Sequence, residues 1–215
     1  MLQLRTQTNI YCVSVYEFET KIRQSLYVEH FRAKLLSPSV RVGKPDFIDG
    51  AALLSACSPR FAQFYGLWDS KRAGRVMPSR SDFEISDLKP WLGWIALLGV
   101  LPGALPEGHD FVYRLVGTNF TRYYEADPTQ QRVSEASVLV ERDLTLQNLR
   151  VICDTRTPRY RSDSIMCARF EAYRQPRLYV PLGEDGSSVD VIMLLGCDPH
   201  DSMGRPVFAN RSFER

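Results

Sequence analysis

Apolar positions Val15, Phe18, Ile22, Leu26, Phe31 and Leu35 recur at three to five residues with charged residues between them. This spacing predicts an amphipathic helix from Val15 to Leu36, stopped by Ser37-Pro38. Residues 37–50 hold two prolines and two glycines and read as a linker. Ser58-Pro59 then supplies a helix start, and Phe61, Phe64, Tyr65 and Trp68 fall on one face before Gly74 closes the segment. Pro78 to Asp82 has turn chemistry, and Asp82 or Ser86 is placed to cap a short segment carrying Leu88, Trp91 and Leu92. From Trp94 to Leu101 the chain is continuously apolar between Gly93 and Pro102, as in a central strand covered on both faces. A second strand runs from Phe111 to Val116, with Pro102 to Asp110 as the connection. Gly117 ends it at a point where backbones approach closely.

The period then becomes helical. Asn119 to Glu125 suits one or two turns, and Ser137 to Thr155 a longer helix with Leu139, Leu146, Leu149, Ile152 and Cys153 available for burial. Three further strands are predicted over Arg159–Cys167, over Phe170–Leu182 with a break at Gln175-Pro176, and over Val189–Gly196 after the hairpin turn GEDGSS. The string implies an α+β fold: a five-stranded antiparallel sheet with helices inserted between strands 2 and 3, plus an N-terminal helical extension. The domain organisation is therefore an N-terminal helix and linker over 1–50, a domain over 51–199 and a loose tail over 200–215.

Charge narrows the functional classes. Residues 1–58 carry 7 Lys/Arg against 5 Asp/Glu, and 59–215 carry 20 against 20, so the domain has no electrostatic footprint for nucleic acid. Arg150, Arg156, Arg159 and Arg161, answered by Asp154 and Asp163, read as a solvated helix end and strand edge; nucleic acid is a disfavoured partner. The five cysteines (Cys12, Cys57, Cys153, Cys167, Cys197) lack any C-x-x-C pair or zinc-spaced histidine, so they read as reduced thiols in a cytoplasmic protein with no metal site. No stretch approaches the ~18 apolar residues of a membrane span, which argues against a membrane partner. His30, His109 and His200 fall in separate parts of the chain, so no catalytic residues are assigned and the protein is read as not an enzyme. A small hydrolase using Cys167 or another nucleophile, or a nucleic-acid-associated regulator using the Arg150 to Arg161 patch, are the alternatives.

Three stretches carry a family likeness: YGLWDSKRAGRVMPSRSDFEISDLKPWLGWIALLGVL, FVYRLVGTNFTRYYEADPTQQRV and RLYVPLGEDGSSVDVIMLLG. From about Phe64 to Gly196 the chain resembles the PAS_5 family of bacterial stand-alone PAS-like proteins. The shared features are a Trp/Gly-Arg/Pro-Ser-Arg-x-Asp opening, an Arg-Leu-Val-Gly-Thr strand end and a Pro-Leu-x-x-Asp-Gly hairpin. It departs from that pattern at Ile85-Ser86, where members have a proline, and at Thr129-Gln130-Gln131-Arg132, where members have Thr-Gly-Arg. The resemblance implies a PAS-like sheet and a small sensory or regulatory module acting through an unidentified signalling protein. A homodimer through Phe18, Ile22 and Leu26 of the N-terminal helix is the candidate assembly. No cofactor is expected. Haem-binding PAS relatives place a histidine near the long helix, and none occurs between Thr118 and Thr157; flavin-binding ones carry Asn-Cys-Arg-Phe-Leu, which neither LRVICDT nor IMCARF supplies. A ligand pocket, if the fold holds one, is expected between Phe111, Tyr113 and Leu115, the helix residues Leu149, Ile152 and Cys153, and Val191 or Met193. Tyr113 would be its one polar handle.

Overall fold

The computed structural model describes residues 47–49, 52, 54–55, 57–136, 138–139, 141–162, 165–168 and 171–198. The chain divides into two units between Gly43 and Lys44, inside the predicted linker, and everything described lies in the second. The Val15–Leu36 helix with Phe18, Ile22 and Leu26, and the 200–215 tail, lie outside the described residues.

Helix α1 (Pro59–Arg72) begins as predicted, with Ser58 extended and Pro59 in the first turn, and ends at Ala73 and Gly74, both left-handed. Its aromatic stripe, Phe61, Phe64 and Trp68, is buried. The Pro-Ser-Arg-x-Asp segment is a structural clip. The Ser79 N–H donates to the Asp82 carboxylate at 2.6 Å, which also receives Arg75 Nη2 at 2.6 Å. Those bonds, the Ser79 N–H foremost, hold the Asp82 carboxyl below its usual range. The short helix α2 (Ile85–Leu88) and a 3-10 turn over Lys89–Trp94 lead into the sheet.

Strands β2 (Ile95–Leu105) and β3 (Gly108–Val116) form a tight hairpin, longer than the predicted pair. Pro102 and Gly103 remain in β2 because the register shifts between Leu101 and Leu105, with Gly103 at φ 61 absorbing the irregularity. Helices α3 (Thr118–Tyr124) and α4 (Arg142–Thr155) follow, the second starting five residues later than predicted. The predicted third and fourth strands each divide in two. β4 (Arg159–Arg161) and β7 (Arg177–Leu182) pair within the main sheet, while β5 (Ile165–Ala168) and β6 (Glu171–Arg174) form a separate ribbon. The break falls at Gln175-Pro176, as the sequence indicated. β8 (Val191–Leu195) closes the set.

Among the described residues the result is an α+β fold with a five-stranded antiparallel sheet in the order β4-β7-β8-β2-β3 and the four helices named above. A three-residue strand β1 (Phe47–Asp49), from the predicted linker, adds to the β4 edge. Register and alternation separate two faces. On the outer face Tyr160 meets Phe61 of α1 with ring centroids 5.3 Å apart, and Trp68 Nε1 donates to the Pro181 carbonyl at 2.9 Å. On the inner face Arg159 and Arg161, either side of Tyr160, reach α4. The sheet is thus covered by α1 on one side and by α3 and α4 on the other. No helix among the described residues is long and apolar enough to cross a membrane.

At the β3 edge, residues 130–133 extend the sheet: the Gln130 N–H donates to Tyr113 O at 2.7 Å and the Val133 N–H to Phe111 O at 2.8 Å. Gln130 holds φ 69 there, a left-handed conformation that costs a side-chain-bearing residue about 1 kcal/mol. Gln130→Gly is therefore expected to raise stability by about 0.5–1 kcal/mol in urea unfolding. A loss would mean that the glutamine side chain contributes more than its backbone strain costs.

Candidate functional site

The inner face of the sheet, under α3 and α4, is where the sequence placed its pocket. Phe111 and Tyr113 lie there, opposite Val100 and Leu98 of β2, and both are buried. Leu149 and Ile152 of α4 are fully buried, and Cys153 is half-buried against the same core.

Leu115 does not join them. A register shift between Leu97 and Leu98 leaves Arg114 as an extra residue on β3, so Tyr113 pairs with Leu98 and Leu115 with Leu97. A bulge of this kind reverses the inward phase of the strand. Leu115 is consequently on the outer face and 45% exposed. Val191 and Met193 also face the other way. They pair with Gly99 and Leu97 on one side and with Leu182 and Val180 on the other, all in the outer-face register, while Ile192 and Leu194 face inward. All five residues of β8 are buried, so its alternation is hidden in an apolar run.

Nor is Tyr113 the only polar group on the inner face. Arg177 and Tyr179 of β7 share its face, and Arg177 is 3% exposed. Arg177 Nη2 donates to the Tyr124 hydroxyl of α3 at 3.1 Å, and Nε donates to Gln175 Oε1 at 3.3 Å. Gln175 is fixed in turn, Nε2 donating to Cys197 O at 2.7 Å. Tyr124 is placed by α3, whose Phe120 packs edge-on against Trp94 at 5.4 Å while Tyr123 stacks on Trp94 at 5.2 Å. On the neighbouring strand Arg161, also 3% exposed, makes a two-pronged ion pair with Glu141, Nη1 to Oε2 at 2.8 Å and Nη2 to Oε1 at 3.0 Å. Arg159 Nη1 donates to Asn148 Oδ1 of α4 at 3.1 Å.

Arg177, Tyr124, Tyr179 and Asn148 escaped the sequence reading. The available signal was an arginine two positions before a tyrosine inside RLYVPL, a strand with no solvent-facing alternate. The Arg150 to Arg161 patch does not form one surface. Arg150 Nε donates to His109 O, Arg156 Nη1 to Ser187 O, and Arg159 and Arg161 turn to the interior.

Burial pushes the Cys153 and Cys197 thiols up to about 12 and raises Cys57, which works against a thiolate nucleophile. Among the described residues no three His, Cys, Asp or Glu side chains come together as a metal site.

The tyrosines give a pH prediction. Burial pushes Tyr123 and Tyr160 up to about 12 from 10.0, and raises Tyr113 and Tyr124 as well. A folded-state value above the unfolded one means stability that is whole below pH 10 and lost as pH rises through about 12. Tm is expected to fall steeply across that window, as these four buried tyrosines ionise at unfolding rather than before it; a Tm that stays level from pH 10 to about 12 would contradict this burial.

No protein-family profile, curated protein or solved structure matches the chain.

Proposed function

We propose that the chain is a non-enzymatic, PAS-like regulatory module of the cytoplasm that acts through protein contact, with the interior beneath α3 and α4 as its ligand chamber. The supporting observation is the strand order. Numbered along the chain, the five strands of the sheet lie 2-1-5-4-3, with α3 and α4 inserted between the second and third. That is the ground plan of the PAS fold, and the three family-like stretches fall on its opening turn, its second strand and its final hairpin. The raised Cys153 and Cys197 thiols give no support to a hydrolase built on either of them, the Cys167 side chain lies outside those described, and the inward turn of Arg159 and Arg161 gives none to an RNA surface.

Native mass spectrometry of freshly purified full-length protein tests the reading, since it reports subunit count and retained small molecules together. A dimer that Ile22→Asp with Leu26→Asp reduces to monomer is expected. A bare monomer that hydrolyses ester or amide substrates would replace the regulatory reading with the hydrolase one.

A further inference from the structure

We propose that the interior between the sheet and helices α3 and α4 binds a small organic carboxylate with an apolar body, its charged end anchored by the guanidinium of Arg177. The inference rests on the regulatory reading for its meaning as a signal, while the chemistry of the site stands on its own.

Charge balance is the first observation. Arg177 is almost fully buried, and its donors reach only neutral acceptors, Tyr124 Oη, Gln175 Oε1 and the Tyr179 side chain. None of the described carboxylates pairs with it. Its register partner Arg161 faces the same way and has Glu141. Buried guanidinium groups cannot discharge themselves by losing a proton, and an uncompensated buried charge is strongly unfavourable. A carboxylate is the anion whose geometry matches the planar fork.

The surroundings define the rest of the ligand. Tyr113, Tyr124 and Tyr179 interact electrostatically with Arg177 from the same interior. Burial keeps the Tyr113 and Tyr124 hydroxyls protonated, hence available as donors to an oxyanion. Asn148, 1% exposed on the facing helix, has Oδ1 held by Arg159 and no acceptor for Nδ2. A second buried group therefore also awaits an acceptor. Phe111, Leu149 and Ile152 are buried apolar side chains on the same side of the sheet. One unanswered positive charge favours a monocarboxylate over a phosphate ester, which would bring excess negative charge.

The test uses full-length protein, thermal unfolding and calorimetric titration, with octanoate and 3-phenylpropionate as probes, their amides as uncharged controls and inorganic phosphate as a competing anion. The carboxylates are expected to raise Tm by about 5–10 °C at a hundredfold excess over Kd, with no effect from the amides. Arg177→Met should abolish the response and, without ligand, unfold at the same or a higher temperature, because it removes a buried charge that lacks a counter-charge. If Arg177→Met lowers Tm on its own and no carboxylate binds the parent, Arg177 is a structural strut for Tyr124 and Gln175 and the proposal fails. A response to phosphate matching that to the carboxylates would overturn the ligand class. Should Arg177→Met not fold, Arg177→Lys keeps the charge without the fork, and at least a tenfold weaker affinity is expected; unchanged affinity would overturn the anchor. Loss of carboxylate binding with the dimer intact removes the anion site alone. Carboxylate binding alongside ester hydrolysis removes the regulatory reading alone.

Discussion

Gly117→Ala is expected to destabilise the protein by about 3 kcal/mol or more, at the upper end of what overfilling a packed site costs. Tm would fall by roughly 6–12 °C for a chain of this size. Gly117 has ordinary extended angles, φ −64 and ψ 149, so conformational freedom is not what requires glycine. Space is. Its N–H donates to Ile95 O at 2.8 Å, and a Cβ would stand 2.5 Å from Gly93 O, 2.7 Å from Gly93 C and 2.8 Å from Ile95 O. All three are backbone atoms of the segment entering β2, and between them sits Trp94, held by Phe120 and Tyr123. Gly99→Ala makes the contrasting case. There a Cβ meets the side chain of Arg114, which is exposed and free to swing aside, so a cost under about 1 kcal/mol is expected. Equal small costs in urea unfolding would show that the Gly93–Ile95 backbone yields after all.

The same contrast between backbone and side chain governs what the sequence could disclose. Local signals were readable. Ser58-Pro59 begins α1, Gln175-Pro176 divides two strands, and GEDGSS forms a turn in which Ser187 Oγ and N–H hold the Asp185 carboxyl down to about 2. Facing was readable in α4, where Leu149, Ile152 and Cys153 share one side of a 3.6-residue period. It was not readable in β8, because Val191 to Leu195 is apolar throughout and buried on both faces, leaving no polar alternate to set the phase. The bulge at Arg114 was equally hidden, since nothing in YRLV marks which residue is unpaired. Long-range pairing was the third blind spot. Arg161 looked like a solvated edge charge because its partner Glu141 lies twenty residues earlier, and Arg177 drew no notice because its partner Tyr124 lies on a helix 53 residues earlier.

Phe111→Ala should cost about 3–5 kcal/mol, the range for emptying a fully buried aromatic site. Phe111 is 0% exposed, faces α4 beside Tyr113, and lies next to Asp110, whose carboxylate accepts from the Phe111 N–H at 2.8 Å and from Ser134 Oγ at 2.7 Å. That clamp fixes the backbone, so the surroundings cannot collapse fully into the space left behind. Leu115→Ala, four residues on in the same strand, should cost under about 1 kcal/mol, because its side chain already stands largely in water on the outer face. An unbulged strand would turn Phe111, Tyr113 and Leu115 to one side, and Leu115→Ala would then cost about 2–5 kcal/mol. The ratio of the two costs in urea unfolding therefore reads the position of the bulge directly. Comparable large losses would return Leu115 to the interior beside Phe111 and Tyr113, whereas a large loss at Phe111 alone keeps Leu115 on the outer face, where the bulge puts it.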